Sequence, residues 1–210
     1  MARGAGMSVD LFGNSLTDKT PSKRPAFMVR KSEWAGRDLY TTEQNDIERF
    51  LASLQRDGIE LPSPIWEPAA GLGDVSKVLL RHGYEVRSSD IYAYSDGGID
   101  IEGLDFFACD GPMGCKTIFT NPPFNMQQEF LVHALSMGVE VVFFVRLSFL
   151  TGIRRHMIFQ KYAPAFVYVY SRRACCYKDG AAGNSQKMID YCVFMWKPPY
   201  RGETKLRWIE

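Results

Sequence analysis

Asn121-Pro122-Pro123-Phe124 is the stretch of this 210-residue chain whose residue types could do chemistry at close quarters. It follows the apolar run Thr117-Ile118-Phe119 and precedes a helix-patterned run, 126–135, so Asn121 is expected at the C-terminal end of a buried strand. In an open α/β sheet, ligands bind outside the carboxyl ends of the strands. Two consecutive prolines stop the ladder, lock the backbone and leave carbonyls without competing N–H groups beside the Asn121 amide. Such a corner can grip a planar NH2 group. Taken alone it also reads as a rigid turn, and residues upstream carry the decision.

Those residues are Ile65-Trp66-Glu67-Pro68-Ala69-Ala70-Gly71-Leu72-Gly73-Asp74, followed by an amphipathic helix bearing Val75, Val78, Leu79 and Leu80 and ended by His82-Gly83. The pattern is strand, glycine turn, helix. Glycines let the backbone pass close to a bound nucleoside, and the helix N-terminus adds its positive dipole end. A second strand, 84–90, ends in the carboxylate of Asp90, where in a parallel βαβ unit an acid can accept both hydroxyls of a ribose. A dinucleotide turn carries a third glycine and room for a pyrophosphate; here Asp74-Val75-Ser76 follows Gly73 instead. Carboxylates at Asp74 and Glu67 would repel phosphates, whereas Glu67 suits the cationic amino-acid end of S-adenosylmethionine. A nicotinamide cofactor is disfavoured.

The surrounding elements fit one domain over residues 31–210, preceded by a mobile arm over 1–30 rich in Gly, Ser, Thr, Pro, Lys and Arg. Thr42 opens a helix with Ile47, Phe50, Leu51 and Leu54 on one face and Gly58 past its end. The continuous apolar run 139–145 reads as a central parallel strand, 153–162 as a helix, and 165–170 and 190–196 as further strands. Net charge runs from +3 over residues 1–40 through −9 over 41–130 to +7 over 131–210. A basic last third can face a polyanion or can be an ordinary solvated surface. The long polar loop at about 171–187 places Arg172, Arg173, Lys178 and Lys187 beside Tyr177, which suits a nucleic-acid backbone and a stacking group. Five cysteines form no CxxC pair, and His82, His133 and His156 stand apart from them, so neither a metal site nor a disulfide framework is expected. No run approaches a membrane span or a signal peptide, which points to the cytoplasm and to no membrane partner.

Taken in order, Glu67-Pro68-Ala69-Ala70-Gly71-Leu72-Gly73, Asp90-Ile91-Tyr92, Asp105-Phe106 and Asn121-Pro122-Pro123-Phe124 resemble the amino-methyltransferases that act on adenine in DNA, in particular the small enzymes encoded by bacteriophages and prophages. The likeness runs from about Asp38 to Trp196. It implies an α/β, Rossmann-like class I methyltransferase fold, with a seven-stranded, mostly parallel sheet, one antiparallel strand near the edge and helices on both faces. It further implies S-adenosylmethionine as cofactor, with Glu67, Pro68, Ala69, Gly71 and Gly73 cradling the methionine and ribose. Asp90 would hold the ribose hydroxyls, Asp105 and Phe106 would bracket the cofactor's adenine, and Ile91 and Asn121 would border the same site. Tyr40 and Thr42 stand where the family has a cofactor-touching Tyr-x-Thr-Pro, here without the proline.

On that likeness, Asn121, Pro122, Pro123 and Phe124 form the catalytic corner. The Asn121 side-chain oxygen and the Pro122 carbonyl would accept hydrogen bonds from an adenine amine and turn its lone pair toward the methyl group, while Phe124 stacks on the base. The nucleotide must flip out of a duplex or arrive single-stranded. Arg146, Arg172, Arg173, Lys178 and Lys187 are the candidate contacts to nucleic acid, DNA foremost. Amino groups of RNA bases and glutamine amides present the same planar NH2 and stay open as substrates. So does a binding protein that kept the fold without the activity.

Overall fold

A computed structural model describes residues 40–94, 98–174, 176–178 and 189–210. The arm expected over residues 1–30 lies outside them, as does Lys187. Along the chain run β1 (Tyr40–Thr42), α1 (Gln44–Arg56), β2 (Ile65–Glu67), α2 (Asp74–Arg81), β3 (Val86–Asp90), β4 (Ile101–Glu102), β5 (Thr117–Thr120), α3 (Gln127–Ser136), β6 (Glu140–Arg146), α4 (Ile153–Lys161), β7 (Phe166–Tyr170), β8 (Cys176–Lys178), β9 (Tyr191–Trp196) and β10 (Lys205–Ile209).

Eight of these strands form one sheet in the order β10-β7-β9-β6-β5-β2-β3-β4. β9 is antiparallel to both of its neighbours, β6 and β7, and every other pairing in the sheet is parallel. The expected architecture, mostly parallel with one antiparallel strand, is therefore present, with eight strands among the described residues rather than seven. β4 and β10, the two edge strands, are those the sequence pattern did not reveal. In β10 only Ile209 is buried while Leu206 and Trp208 are exposed, so its apolar residues mark no core face. Backbone pairing with β7 holds it, together with Arg49 and Arg56 of α1, whose side chains donate to the carbonyls of Glu210 and Trp208.

Helices cover both faces because the strands are apolar on both. In β6, Val142 and Phe144 pack with α1 and α2 residues such as Phe50, Leu54 and Val78, while Val141, Phe143 and Val145 pack with Phe130, Leu131 and Ile158 of α3 and α4. α1 is pinned to the sheet by Tyr170, whose hydroxyl donates to the Asp46 carbonyl at 2.8 Å, and by Tyr168, which donates to Asp57 at 2.7 Å. Thr42, expected to open α1, instead ends β1. That short strand pairs antiparallel with β8 in a separate two-stranded ribbon, with Thr42 opposite Cys176.

Candidate active site

β3, β2 and β5 are neighbours and run parallel. Glu67 and Asp90 end their strands, and Asn121 follows the last residue of β5, so all three reach the same edge of the sheet. From β2 the chain moves outward to β3 and β4, then returns to β5 on the other side of β2. This reversal of strand order is where open α/β sheets form their binding crevice.

The glycine turn connects the first two acids. Gly71 (φ 55°) and Gly73 (φ 72°) adopt left-handed backbone that a side chain would strain. The Gly71 N–H donates to Asp90 Oδ2 at 2.9 Å, and the Tyr92 N–H donates to Oδ1 at 2.9 Å. Asp90 thus ties its own strand end to the turn. Burial raises its pKa, against the N–H groups of Tyr92, Gly71 and Ile91 that favour the charged form. Glu67 faces the helix: its carboxyl oxygen accepts from the Ser76 N–H at 2.8 Å and from the Ser76 hydroxyl. Gly73, the residue preceding α2, has no side chain to cap the helix, and Glu67 supplies that acceptor. Burial pushes Glu67 up to about 8, with the charges of Asp74 and Asp90 adding to the rise and the two Ser76 bonds opposing it. Asp74 is itself held by Gln44, whose amide donates to it at 3.0 Å. Pro68 is buried and Ala69 half-buried along the same turn.

Asn121 is held from outside its own element. Its Nδ2 donates to the Tyr40 carbonyl at 3.3 Å and to Thr42 Oγ1 at 3.1 Å, with Cys176 Sγ at 3.9 Å. A carbonyl only accepts, so the nitrogen must face Tyr40 and the oxygen must face away. That oxygen, Oδ1, is buried and has no hydrogen-bond partner among the described residues. The carbonyl of Pro122 likewise accepts no hydrogen bond among them, whereas that of Pro123 takes the Met126 N–H at 2.9 Å. The corner therefore offers two adjacent acceptors and no donor of its own at either proline.

Phe124 stands beside them, half-buried. Its ring centroid lies 4.2 Å from that of Tyr40 and 6.4 Å from that of Tyr191, and the Arg146 guanidinium sits 4.1 Å from its centroid. Arg146, expected among the nucleic-acid contacts, is thus built into the corner itself, and a base stacking on Phe124 must take the place of one of these neighbours. Tyr191 is buried and stacks on Phe144; burial, with Cys176 alongside, raises the pKa of its hydroxyl.

Other expected positions lie differently. Phe106 is 2% exposed and packs between Trp66 and Phe130, with His133 against its edge. It is a core side chain and offers no open ring face. Asp105 Oδ1 accepts the Phe107 N–H at 3.0 Å and so caps the short turn 106–108. Ile91 is 42% exposed directly after Asp90 and supplies the open apolar surface there that Phe106 does not. Arg172 and Arg173 are exposed beyond β7, Arg173 pairing with Asp190 at 3.4 Å. Lys178 lies opposite Tyr40 in the β1–β8 ribbon. Cys176 and Tyr191 carried no local signal; their contacts to the corner join residues far apart in sequence. Among the described residues no group of three or more His, Cys, Asp or Glu could hold a metal ion, and no helix is long and apolar enough to cross a membrane.

No known family model and no curated protein matches the sequence. Solved structures do. A candidate RNA methyltransferase from Pyrococcus horikoshii superposes with a TM-score of 0.56 at 15% identity, covering 75% of this chain and 85% of that one. Magnesium protoporphyrin IX methyltransferase from Synechocystis, with bound S-adenosylmethionine, gives 0.52 at 12% identity over 73% of this chain and 78% of that one. The methyltransferase subunit of a type I restriction-modification system from Streptococcus thermophilus gives 0.53 at 10% identity, over 78% of this chain and 45% of that one. With its switch point, glycine turn and single antiparallel strand, this chain has the fold of the Rossmann-like class I methyltransferases.

Proposed function

We propose that the protein transfers a methyl group from S-adenosylmethionine to the exocyclic amine of adenine in DNA, acting on a flipped-out nucleotide. The observation that carries this reading is the Asn121 amide: its nitrogen is engaged by Tyr40 and Thr42, and its buried Oδ1 is left as an acceptor beside the Pro122 carbonyl. Two convergent acceptors match the two N–H groups of a planar amine, whereas a hydroxyl has one hydrogen for the pair and a ring nitrogen lone pair has none.

The glycine turn fits the cofactor. Three carboxyl groups, Glu67, Asp74 and Asp90, gather around it, a setting hostile to a pyrophosphate and favourable to a cation, on whose docking Glu67 would give up its proton. Asp90 would accept from the ribose hydroxyls, Gly71 and Gly73 would allow close approach of the backbone, and Ile91 would lie against the adenine. Asp105 and Tyr40 would border the same site. Bound there, the cofactor supplies an electrophilic methyl group on a positively charged sulfur. Asn121 and Pro122 would accept the two amine hydrogens and draw the nitrogen toward tetrahedral geometry, so that its lone pair faces the methyl group. The proton shed after the new N–C bond forms passes to water, so the corner needs no general base. Phe124 would carry the base once Arg146 moves aside, and Arg146, with Arg172 and Arg173, would then meet phosphates.

The same acceptors would serve an RNA base amine or a glutamine amide, and the structural likeness to a candidate RNA methyltransferase and to a restriction-modification subunit is compatible with more than one polymer. Incubation with methyl-labelled S-adenosylmethionine and, separately, duplex DNA, single-stranded DNA, RNA and protein extract, followed by digestion and mass identification, tests the proposal. N6-methyladenine from DNA is the expected product. Label in RNA alone or in glutamine would move the activity to that polymer, and no label in any arm would leave a binding protein.

A further inference from the structure

Pro122 and Pro123 have no N–H with which to fix the corner they form, and Asn121 lies past the last residue of β5, outside the ladder. Whatever aims the Asn121 amide must come from elsewhere in the fold. The structure places the β1–β8 ribbon there. Tyr40 offers its carbonyl and Thr42 its hydroxyl to the two hydrogens of Asn121 Nδ2, while Cys176, opposite Thr42 in the ribbon, closes the third side. An amide NH2 has two hydrogens, so these acceptors exhaust it.

We propose that Thr42 is a positioning residue, which with the Tyr40 carbonyl locks the rotation of the Asn121 amide and keeps Oδ1 directed at the substrate amine. This assigns the Tyr40-Thr41-Thr42 segment a role in orienting the catalytic side chain, distinct from the cofactor contact its position suggests, and it rests on Asn121 being the amine acceptor. Turned over, the amide would set its oxygen against the Tyr40 carbonyl oxygen and point two N–H donors at the N–H groups of the substrate. The Thr42 hydroxyl could turn and donate to that oxygen, so the Tyr40 carbonyl and the substrate N–H groups set the sense of the amide while Thr42 holds its plane; loss of the Thr42 bond lowers the fraction of molecules in the productive orientation. Donation to two acceptors also draws electron density toward Oδ1 and strengthens it as an acceptor. Tyr40 acts twice in this device. Its carbonyl holds Asn121, and its ring packs 4.2 Å from that of Phe124.

The test compares wild type with Thr42→Val, which keeps the shape and removes the acceptor, and Thr42→Ser, which keeps the acceptor. Two readouts are taken. One is the nitrogen-15 NMR signal of the Asn121 side chain, assigned by its absence in Asn121→Ala, with the exchange rate of its hydrogens. The other is single-turnover methyl transfer, with S-adenosylmethionine affinity measured by calorimetry. Thr42→Val should speed exchange of the Asn121 amide and slow transfer by about tenfold, the loss of one hydrogen bond, with cofactor affinity within about twofold of wild type. Thr42→Ser should restore both the signal and the rate. If Thr42→Val does not fold, Thr42→Ala takes its place. Equal losses in the serine and valine variants would assign Thr42 to packing and overturn the proposal, as would an unchanged amide signal in Thr42→Val. A fall in cofactor affinity matching the fall in rate would return Thr42 to the cofactor site. Absence of methyl transfer in wild type would end the functional reading of the site, while the amide signal would still decide whether Thr42 sets the lock.

Discussion

Replacing Glu67 with glutamine makes a quantitative prediction from the geometry of the glycine turn. In the unfolded chain Glu67 ionises at the ordinary value of 4.5; in the folded protein burial holds its proton to about 8. Between those values the folded state binds one proton more than the unfolded state. Stability must therefore fall as pH rises through that window, by about 1.4 kcal/mol per pH unit for one proton, and level off above it. From pH 4.5 to pH 7 the loss is roughly 3 kcal/mol. Glu67→Gln keeps a carbonyl oxygen for the Ser76 N–H and has nothing to titrate, so its stability should lack this component. Urea unfolding of both proteins at pH 5, 6, 7, 8 and 9 is the assay. The variant should gain on wild type steadily up to about pH 8 and keep that advantage at pH 9. A difference independent of pH would show Glu67 already ionised in the folded protein and would refute the reasoning. The same proton bears on the cofactor: if a cation docks beside these carboxylates, Glu67 releases its proton on binding, and S-adenosylmethionine affinity rises with pH over the same window in wild type and not in the variant.

Asn121→Ala should lower single-turnover methyl transfer on the order of a hundredfold while changing cofactor affinity little, because it removes an acceptor used at the amine; retained turnover would sink the amine mechanism. Asp90→Ala should weaken S-adenosylmethionine binding by about 1.5–3 kcal/mol for each charged hydrogen bond lost, measured by calorimetry. It should also cost some thermal stability, since Asp90 accepts the Gly71 and Tyr92 N–H groups. Phe124→Ala should slow transfer more on fully paired duplex than on duplex mismatched at the target adenine, because a stacking platform of about 1–3 kcal/mol offsets unpairing. Neutralising Arg172 should reduce the slope of log affinity against log salt by about one unit if it meets a phosphate, read from fluorescence titrations on one oligonucleotide.

Several parts of the fold are legible in the sequence. The strand, turn and helix over β2 and α2 could be read because the apolar pair Ile65-Trp66, two glycines and an amphipathic run are local signals, and each came out where expected. The continuous apolar run of β6 showed that both of its faces would be covered, as they are. Asn121 could be placed past the end of a strand because two prolines cannot continue a ladder. These are statements about neighbours along the chain, and periodicity reports them directly.

The identity of the partners was decided elsewhere. Phe106 looks like an aromatic available to a ligand, yet it is buried against Trp66 and Phe130, because no local pattern says which face of a short turn meets the core. The β1–β8 ribbon is too short and too polar to announce itself, and β10, whose Leu206 and Trp208 are exposed, is held by backbone pairing with a distant segment. The aim of the Asn121 amide is the clearest case. The sequence determines that an asparagine stands before two prolines at a strand's end; only tertiary structure brings Tyr40, Thr42 and Cys176 to its nitrogen, across separations of 81, 79 and 55 residues, and so determines that the oxygen is the atom left over. A hydrogen bond is a relation between two positions in space, and separations of that length leave no trace in the residues on either side.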